Sequence, residues 1–239
     1  MIDWIAAYPS GPYDLSQTPQ AWLDALSSAQ SAGLIPNISL STVPPGRAPV
    51  YPDNQDPTSE TICNASYECA APGDVWNATD GYIGIGYAIS CQFPKERPNS
   101  PQSFDDGPLQ PSPTLYSFLK NNSQHATHFM IGLNILSSPD IFLQAFDNGD
   151  DIAVHTWTHP YMTSLSNEAI VAEFGYTMQI IHDSTGGRIP RFWRPPYGDT
   201  DNRVRAIAKN VFGLTTVMWN QEYVQILTLC PFKASNSGG

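Results

Sequence analysis

An α/β sheet or barrel built on parallel strands is the fold this sequence predicts, and three observations predict it. From Gln102 onward, short apolar runs alternate with helical patterns, the mark of strand–helix units packed in layers. Each polar motif sits at the carboxyl end of a run that reads as a strand, where such folds collect their functional groups. The length, 239 residues, suits one barrel-sized domain with an extension better than two compact domains.

Residues 1 to 100 read as a loop-rich extension with one helix. Most of the prolines fall there, and their locked φ angles break regular elements. The helical pattern runs from Pro19 to Ala32, with Trp22, Leu23 and Leu26 on a shared face before Gly33 stops it. Residues 101 to 230 read as the α/β domain, and 231 to 239 as a tail. Within the domain, Ser112 with Pro113 opens a helix to about Lys120, and Ala126 to Gly132 reads as a strand. Pro139 to Asn148 reads as a helix ended by Gly149, followed by a strand over Asp151 to His155. Ser166 with Glu168 opens the longest helix, where Ile170, Phe174, Met178 and Ile181 recur at helical spacing up to Gly186-Gly187. Arg191 to Arg194 is extended, Asp201 to Lys209 helical, and Leu214 to Trp219 extended again.

Charge narrows the partners. A formal net charge of -11 and a pI near 4.6 repel a phosphate backbone, and Arg188, Arg191, Arg194, Arg203 and Arg205 are too dispersed to form a patch. Nucleic acid is therefore disfavoured, whereas a neutral polymer is not. Four Cys residues (Cys63, Cys69, Cys91 and Cys230) show no CxxC spacing, and their pairing is open among three connectivities. Asn37, Asn64, Asn77 and Asn121 each begin an N-glycosylation acceptor pattern. Three of the four lie in the Cys-bearing front segment, which favours a secreted or cell-wall glycoprotein. Met1-Ile2-Asp3-Trp4 begins no signal peptide, so either the start lies upstream or the protein is not secreted. No apolar run is long enough for a membrane span, and no hydrophobic tail follows the small-residue ending.

The chemistry is carried by three motifs. Asp105 and Asp106 precede Gly107-Pro108 at a strand-to-turn junction, where the turn could bring both carboxylates to one mouth. His155 and His159, four apart, could share a helical face or converge in a tight turn, and Pro160 disfavours the helix. Alone, the acids fit a solvated turn and the His pair fits packing. Together on two strand ends they fit a catalytic zinc site, which usually takes three protein ligands and leaves a position open. Asp106, His155 and His159 would be those ligands, with Asp105 free as a base. This is not an HExxH motif, because Thr156 occupies the Glu position. The third motif, Arg194-Pro195-Pro196-Tyr197-Gly198-Asp199, is a rigid loop suited to pre-set backbone donors. Arg194 would hold a carboxylate such as Asp105 or cap strand-end carbonyls.

Ser103-Phe104-Asp105-Asp106-Gly107-Pro108, His155-Thr156-Trp157-Thr158-His159-Pro160 and Arg194 to Asp199, in this order, resemble the first three motifs of the polysaccharide deacetylase family. That is carbohydrate esterase family 4, with its NodB homology domain, and the resemblance is nearest to fungal chitin deacetylases. It covers about Gln102 to Asn220. It implies a distorted (β/α) barrel of the NodB type and hydrolysis of N-acetyl groups from an N-acetylglucosamine polymer such as chitin. It also implies Asp106, His155 and His159 as ligands of zinc or cobalt, and Asp105 as catalytic base oriented by Arg194. The Tyr197 backbone N–H would help hold the oxyanion. Thr156 and Thr158 would shape the loop that presents the two His residues. Trp157, Trp193 and Trp219 are candidates for stacking on sugar rings, with core packing the favoured role for at least two of them. Acid should weaken such a site, because protonated His cannot ligate.

The chain departs from the family's pattern in two places. Ala88 to Gln102 separates a strand at Gly84-Ile85-Gly86-Tyr87 from the paired acids it should run into. After Trp219-Asn220-Gln221, Glu222-Tyr223-Val224 replaces the expected Asp-and-Trp segment, and Cys230 stands near where the family's acid His belongs. The expectation is that both stretches are gene-model artefacts, such as retained intron sequence; if they are genuine, the barrel lacks its closing strands and the site its leaving-group acid, and turnover should be severely reduced with metal binding retained. An O-acetyl xylan esterase and an inactive wall-polysaccharide binder are the competing readings.

Overall fold

A computed structural model describes residues 7–76, 85–87 and 102–219. The Asn77 acceptor, Cys91, Cys230, most of the Ala88 to Gln102 stretch, the Glu222-Tyr223-Val224 replacement and the 231–239 tail lie outside the described residues.

Six strands form one sheet in the order of the chain: β1 (Ile85–Tyr87), β2 (Gln102–Gly107), β3 (Ala126–Met130), β4 (Asp151–Val154), β5 (Phe192–Trp193) and β6 (Thr215–Thr216). Every neighbouring pair is parallel. An order that never reverses winds the sheet one way, as a barrel does, rather than both ways from a switch point. β1 does not continue into the paired acids but lies beside their strand, Tyr87 opposite Phe104. At the other edge Val75 bridges Val217 in parallel. The expected α/β class with parallel strands is what the chain adopts.

Helices α2 (Ser112–Asn121), α4 (Pro139–Asp147), α5 (Asn167–Ser184) and α6 (Asn202–Phe212) fall where the patterns put them, and α1 spans Gln20–Ser31. Their ends follow local chemistry. The Ser166 side chain accepts from Ala169 N–H at the start of α5, and Asp201 accepts from Val204 N–H at the start of α6. Gly213, at φ 69°, closes α6 in the left-handed conformation. A short helix, α3 (Gly132–Ser137), begins where the expected strand was to end, at Gly132, and covers residues for which the pattern offers no element. β3 stops at Met130 because the chain turns there to meet the His-bearing loop: Gly132 N–H donates to Thr156 O and Leu133 N–H to Trp157 O.

The core joins Phe104, Met130, Val154 and Trp193 of the strands to Leu115, Phe142, Ile170, Phe174 and Ile207 of the helices. Leu26 of α1 belongs to the same core, with Trp22 packed against it. α5 therefore shows no polar stripe over its first half. Its residues from Ala169 to Thr177 are all buried, because α1 covers the side turned away from the sheet. The contact is close at Gly175, where an added Cβ would meet the Trp22 indole at 2.4 Å.

Candidate metal centre

The strand is irregular at the paired acids, immediately before the Gly-Pro turn. Registry between β2 and β3 shifts between Phe104 and Gly107, and Asp106 has φ 66°. A bulge breaks the alternation that would send successive side chains to opposite faces. Asp105 and Asp106 then diverge only in partner.

Asp106 meets the two imidazoles. Its Oδ1 lies 3.3 Å from His155 Nε2 and 3.1 Å from His159 Nε2, and one ligand atom of each residue lies within 4.8 Å of the others. Burial pushes the Asp106 carboxyl up, but hydrogen bonds and charge from His155 and His159 outweigh it and hold the group below the usual carboxylate range. Among the described residues this is the one such group of three or more potential ligands. Two imidazole nitrogens and one carboxylate oxygen suit zinc and leave a coordination position free. His155 is also oriented for that role. Its Nδ1 lies 2.7 Å from the Arg194 carbonyl, an acceptor, so Nδ1 keeps its proton and Nε2, on releasing its own, is the nitrogen that would meet an ion.

The His pair converges in a tight turn after β4, not on a helix. Thr156 and His159 have φ 67° and 63°, conformations that side-chain-bearing residues adopt only when surroundings hold them. Thr156 Oγ1 accepts from His159 N–H at 3.1 Å. The larger constraint is Glu173, 1% exposed on α5. It accepts from Trp157 N–H at 2.6 Å, Thr158 N–H at 2.9 Å and the Thr158 hydroxyl at 2.5 Å. Burial raises its pKa, and these bonds together with one from Tyr13 act against the rise. Sequence reasoning gave Glu173 no role. Its only signal is a carboxylate on the buried face of an apolar helix.

Asp105 pairs with Arg194, whose Nη1 lies 2.6 Å from Asp105 Oδ1 and 3.0 Å from Ser103 Oγ. The contact is through one nitrogen rather than the whole fork. Arg194 is buried, and its guanidinium lies 4.0 Å from the Phe129 ring centroid. Tyr197 follows in the same loop at φ 57°, a costly conformation for an aromatic residue. Its backbone N–H has no acceptor among the described residues. Its ring is 53% exposed and stacks on Tyr161 at 4.1 Å.

Two expected sugar contacts are corrected. Trp157 and Trp193 are both 0% exposed and cannot reach a polymer. The Trp157 indole lies over Gly132, where a Cβ would come within 2.1 Å of it, and donates to the Gly11 carbonyl at 3.1 Å. Trp193 donates to Thr216 Oγ1 and packs edge-on against Phe174. Trp219 is half-buried beside Gly198 and 5.8 Å from the Arg194 guanidinium. Cys63 and Cys69 form a disulfide with Cα atoms 5.1 Å apart.

Comparison with known proteins identifies a family and a fold. A family model described as polysaccharide deacetylase matches residues 95–217. Chitin deacetylase 3 of Cryptococcus neoformans var. neoformans is 46% identical over 224 residues, covering 92% of this chain and 50% of that protein. Chitin deacetylase 2 of Cryptococcus neoformans var. grubii is 39% identical over 186 residues, 78% of this chain and 40% of that protein. The chain thus spans half or less of the length of these relatives. Among solved structures, a family 4 carbohydrate esterase from Bacillus anthracis superposes with a TM-score of 0.52 at 25% identity, over 62% of this chain and 64% of that one.

Proposed function

The chain belongs to the polysaccharide deacetylase family, and from that premise we propose that it hydrolyses N-acetyl groups on an N-acetylglucosamine polymer of the chitin class. The observation that carries the reading is the convergence of Asp106, His155 and His159 within 4.8 Å beside an Arg-held Asp105. Asp106, His155 and His159 are the proposed ligands of a divalent ion, zinc or cobalt. Such an ion polarises an acyl carbonyl and acidifies a water.

The chain's own groups supply the rest. Asp105 takes the proton of the attacking water, and Arg194 keeps its carboxylate in one pose. His155 Nδ1–H donates to the Arg194 carbonyl, which ties the metal loop to the loop of Tyr197. The unpaired Tyr197 N–H donates to the oxygen on which negative charge develops, and its held conformation means that no reorganisation is needed. The departing amine needs a proton, and general-acid help at that step is typically worth about 10²- to 10⁴-fold. The Cys63–Cys69 disulfide supports a secreted or wall setting.

Acetate release from chitin oligomers and from acetylated xylan, by zinc-loaded and chelated protein, tests the reading. Zinc-dependent release from chitin oligomers is expected, faster in a Cys230→His variant. Release from xylan alone assigns an O-acetyl esterase. No release from either, with zinc bound, assigns a binding protein.

A further inference from the structure

Beneath the loop of Tyr197 lies a second buried carboxylate, Asp199, 0% exposed, and its partners come from two distant parts of the chain. Thr163, in the turn that follows His159, gives it a backbone N–H and a hydroxyl, each at 2.9 Å. Asn64, 0% exposed, gives it an amide hydrogen at 3.1 Å. The other hydrogen of that amide goes to Tyr51 Oη at 3.0 Å, while the Asn64 carbonyl accepts from Ser66 N–H at 2.8 Å.

The chemistry of this pocket asks for a primary amide. Tyr51 spends its single proton on Asp201 at 3.0 Å, so towards Asn64 it can only accept. Asp199 as a carboxylate likewise only accepts. Two acceptors side by side need two donors from one short side chain, and Ser offers one, Asp none and Leu none. The surrounding backbone is held to match: Ala65 N–H donates to Thr200 O and Asn202 N–H to Ile62 O. The Cys63–Cys69 disulfide brackets Asn64, and Arg205 holds both Cys carbonyls while pairing with Asp74.

We infer that Asn64 is a positioning residue for the candidate site, setting Asp199 and through it the placement of the Tyr197 loop against the turn behind His159. The inference rests on the proposed deacetylase reading. It assigns part of the working site to the segment from Tyr51 to Asp74, outside the residues 95–217 that the family model matches. It also settles one acceptor pattern. Asn64-Ala65-Ser66 invites a glycan, but an Asn64 that serves this role must stay bare, unlike the exposed Asn37 and Asn121.

Three measurements test it. Glycopeptide mass spectrometry of protein secreted from a eukaryotic host should find Asn64 unmodified; a glycan there in folded protein overturns the inference without any variant. Hydrogen exchange should be about tenfold faster in Asn64→Asp over residues 162–164 and 198–201, with the slowest core amides unchanged; equal exchange in those loops overturns it. In acetate release, Asn64→Asp should lose about tenfold in kcat with KM within about twofold, and adding Asp199→Asn to it should recover part of the loss by restoring a donor–acceptor pair. A kcat equal to that of the native chain, or an exchange no better than either single change, overturns the positioning role. If the native chain itself releases no acetate, the deacetylase reading fails, and the glycan and exchange results decide the placement of the loops separately.

Discussion

Replacing Glu173 by Leu removes the acceptor for two backbone N–H groups, Trp157 and Thr158, at 2.6 and 2.9 Å. Leu has nearly the volume of Glu, so the cavity term is small and the unsatisfied donors dominate. Each buried unpaired group costs about 1–3 kcal/mol, giving a loss of roughly 2–6 kcal/mol. Against a typical total of about 5–15 kcal/mol, that is a large fraction of the stability. At about 2–4 °C per kcal/mol for a chain of this size, a 4 kcal/mol loss lowers Tm by roughly 8–16 °C. Urea unfolding should show a lower midpoint at unchanged slope. Because the freed loop carries His159, zinc affinity by chelator competition should fall about 10- to 100-fold. Glu173→Gln, which keeps one acceptor oxygen, should lose less than half as much stability. A Leu variant within about 0.5 kcal/mol of the native chain, with native zinc affinity, would refute the role given to Glu173.

Three further outcomes follow from the same contacts. Gly175→Ala should destabilise by about 1–2 kcal/mol although Ala is the better helix former by about 1, because the added Cβ would lie 2.4 Å from the rigid Trp22 indole. In a Trp22→Ala background the same change should stabilise, which thermal melts of the four proteins would check. Burial raises the Asp199 pKa from 3.8 to about 6, against hydrogen bonds from Thr163 and Asn64. The folded state then binds more protons between those values, so the Asp199 contribution is full below pH 3.8 and is lost as pH rises through about 6. Native stability should fall by about 3 kcal/mol across that window relative to Asp199→Asn, and parallel pH profiles of the two would contradict it. Zinc at about 100 times its dissociation constant should add about 2.7 kcal/mol to stability, seen as a Tm rise of roughly 5–10 °C in the native chain and none in His159→Ala.

Much of the scaffold was legible because its signals are local. Ser166 opens α5 where expected and α6 begins at the expected place, after Asp201, but runs to Phe212, past the expected Lys209, since capping depends on groups three or four positions apart. The convergence of Asp106, His155 and His159 was legible too, because few contexts other than a metal site pair two His residues with an acid at strand ends. What was misread depends on contact. Trp157 and Trp193 look like sugar platforms by composition, and only their packing against Gly132 and Phe174 removes them from the surface. α3 was missed because hydrogen bonds to the His-bearing loop, not its own residues, open it.

The sequence by itself determined the parallel α/β class and the strand ends that bear the polar motifs, and it nominated Asp105, Asp106, His155, His159 and Arg194 as a candidate set. These are properties of spacing and residue type, which a chain carries before it folds. Only the tertiary structure decided how that set is held. A bulge and positive φ angles turn Asp106 towards the imidazoles. Glu173 braces the His loop from sixteen or fewer residues away, and Asn64 reaches Asp199 across 135 positions. Burial gives these amides and carboxylates their force, since an unpaired polar group costs little in water and much inside a protein, and burial is set by what the rest of the chain packs over them.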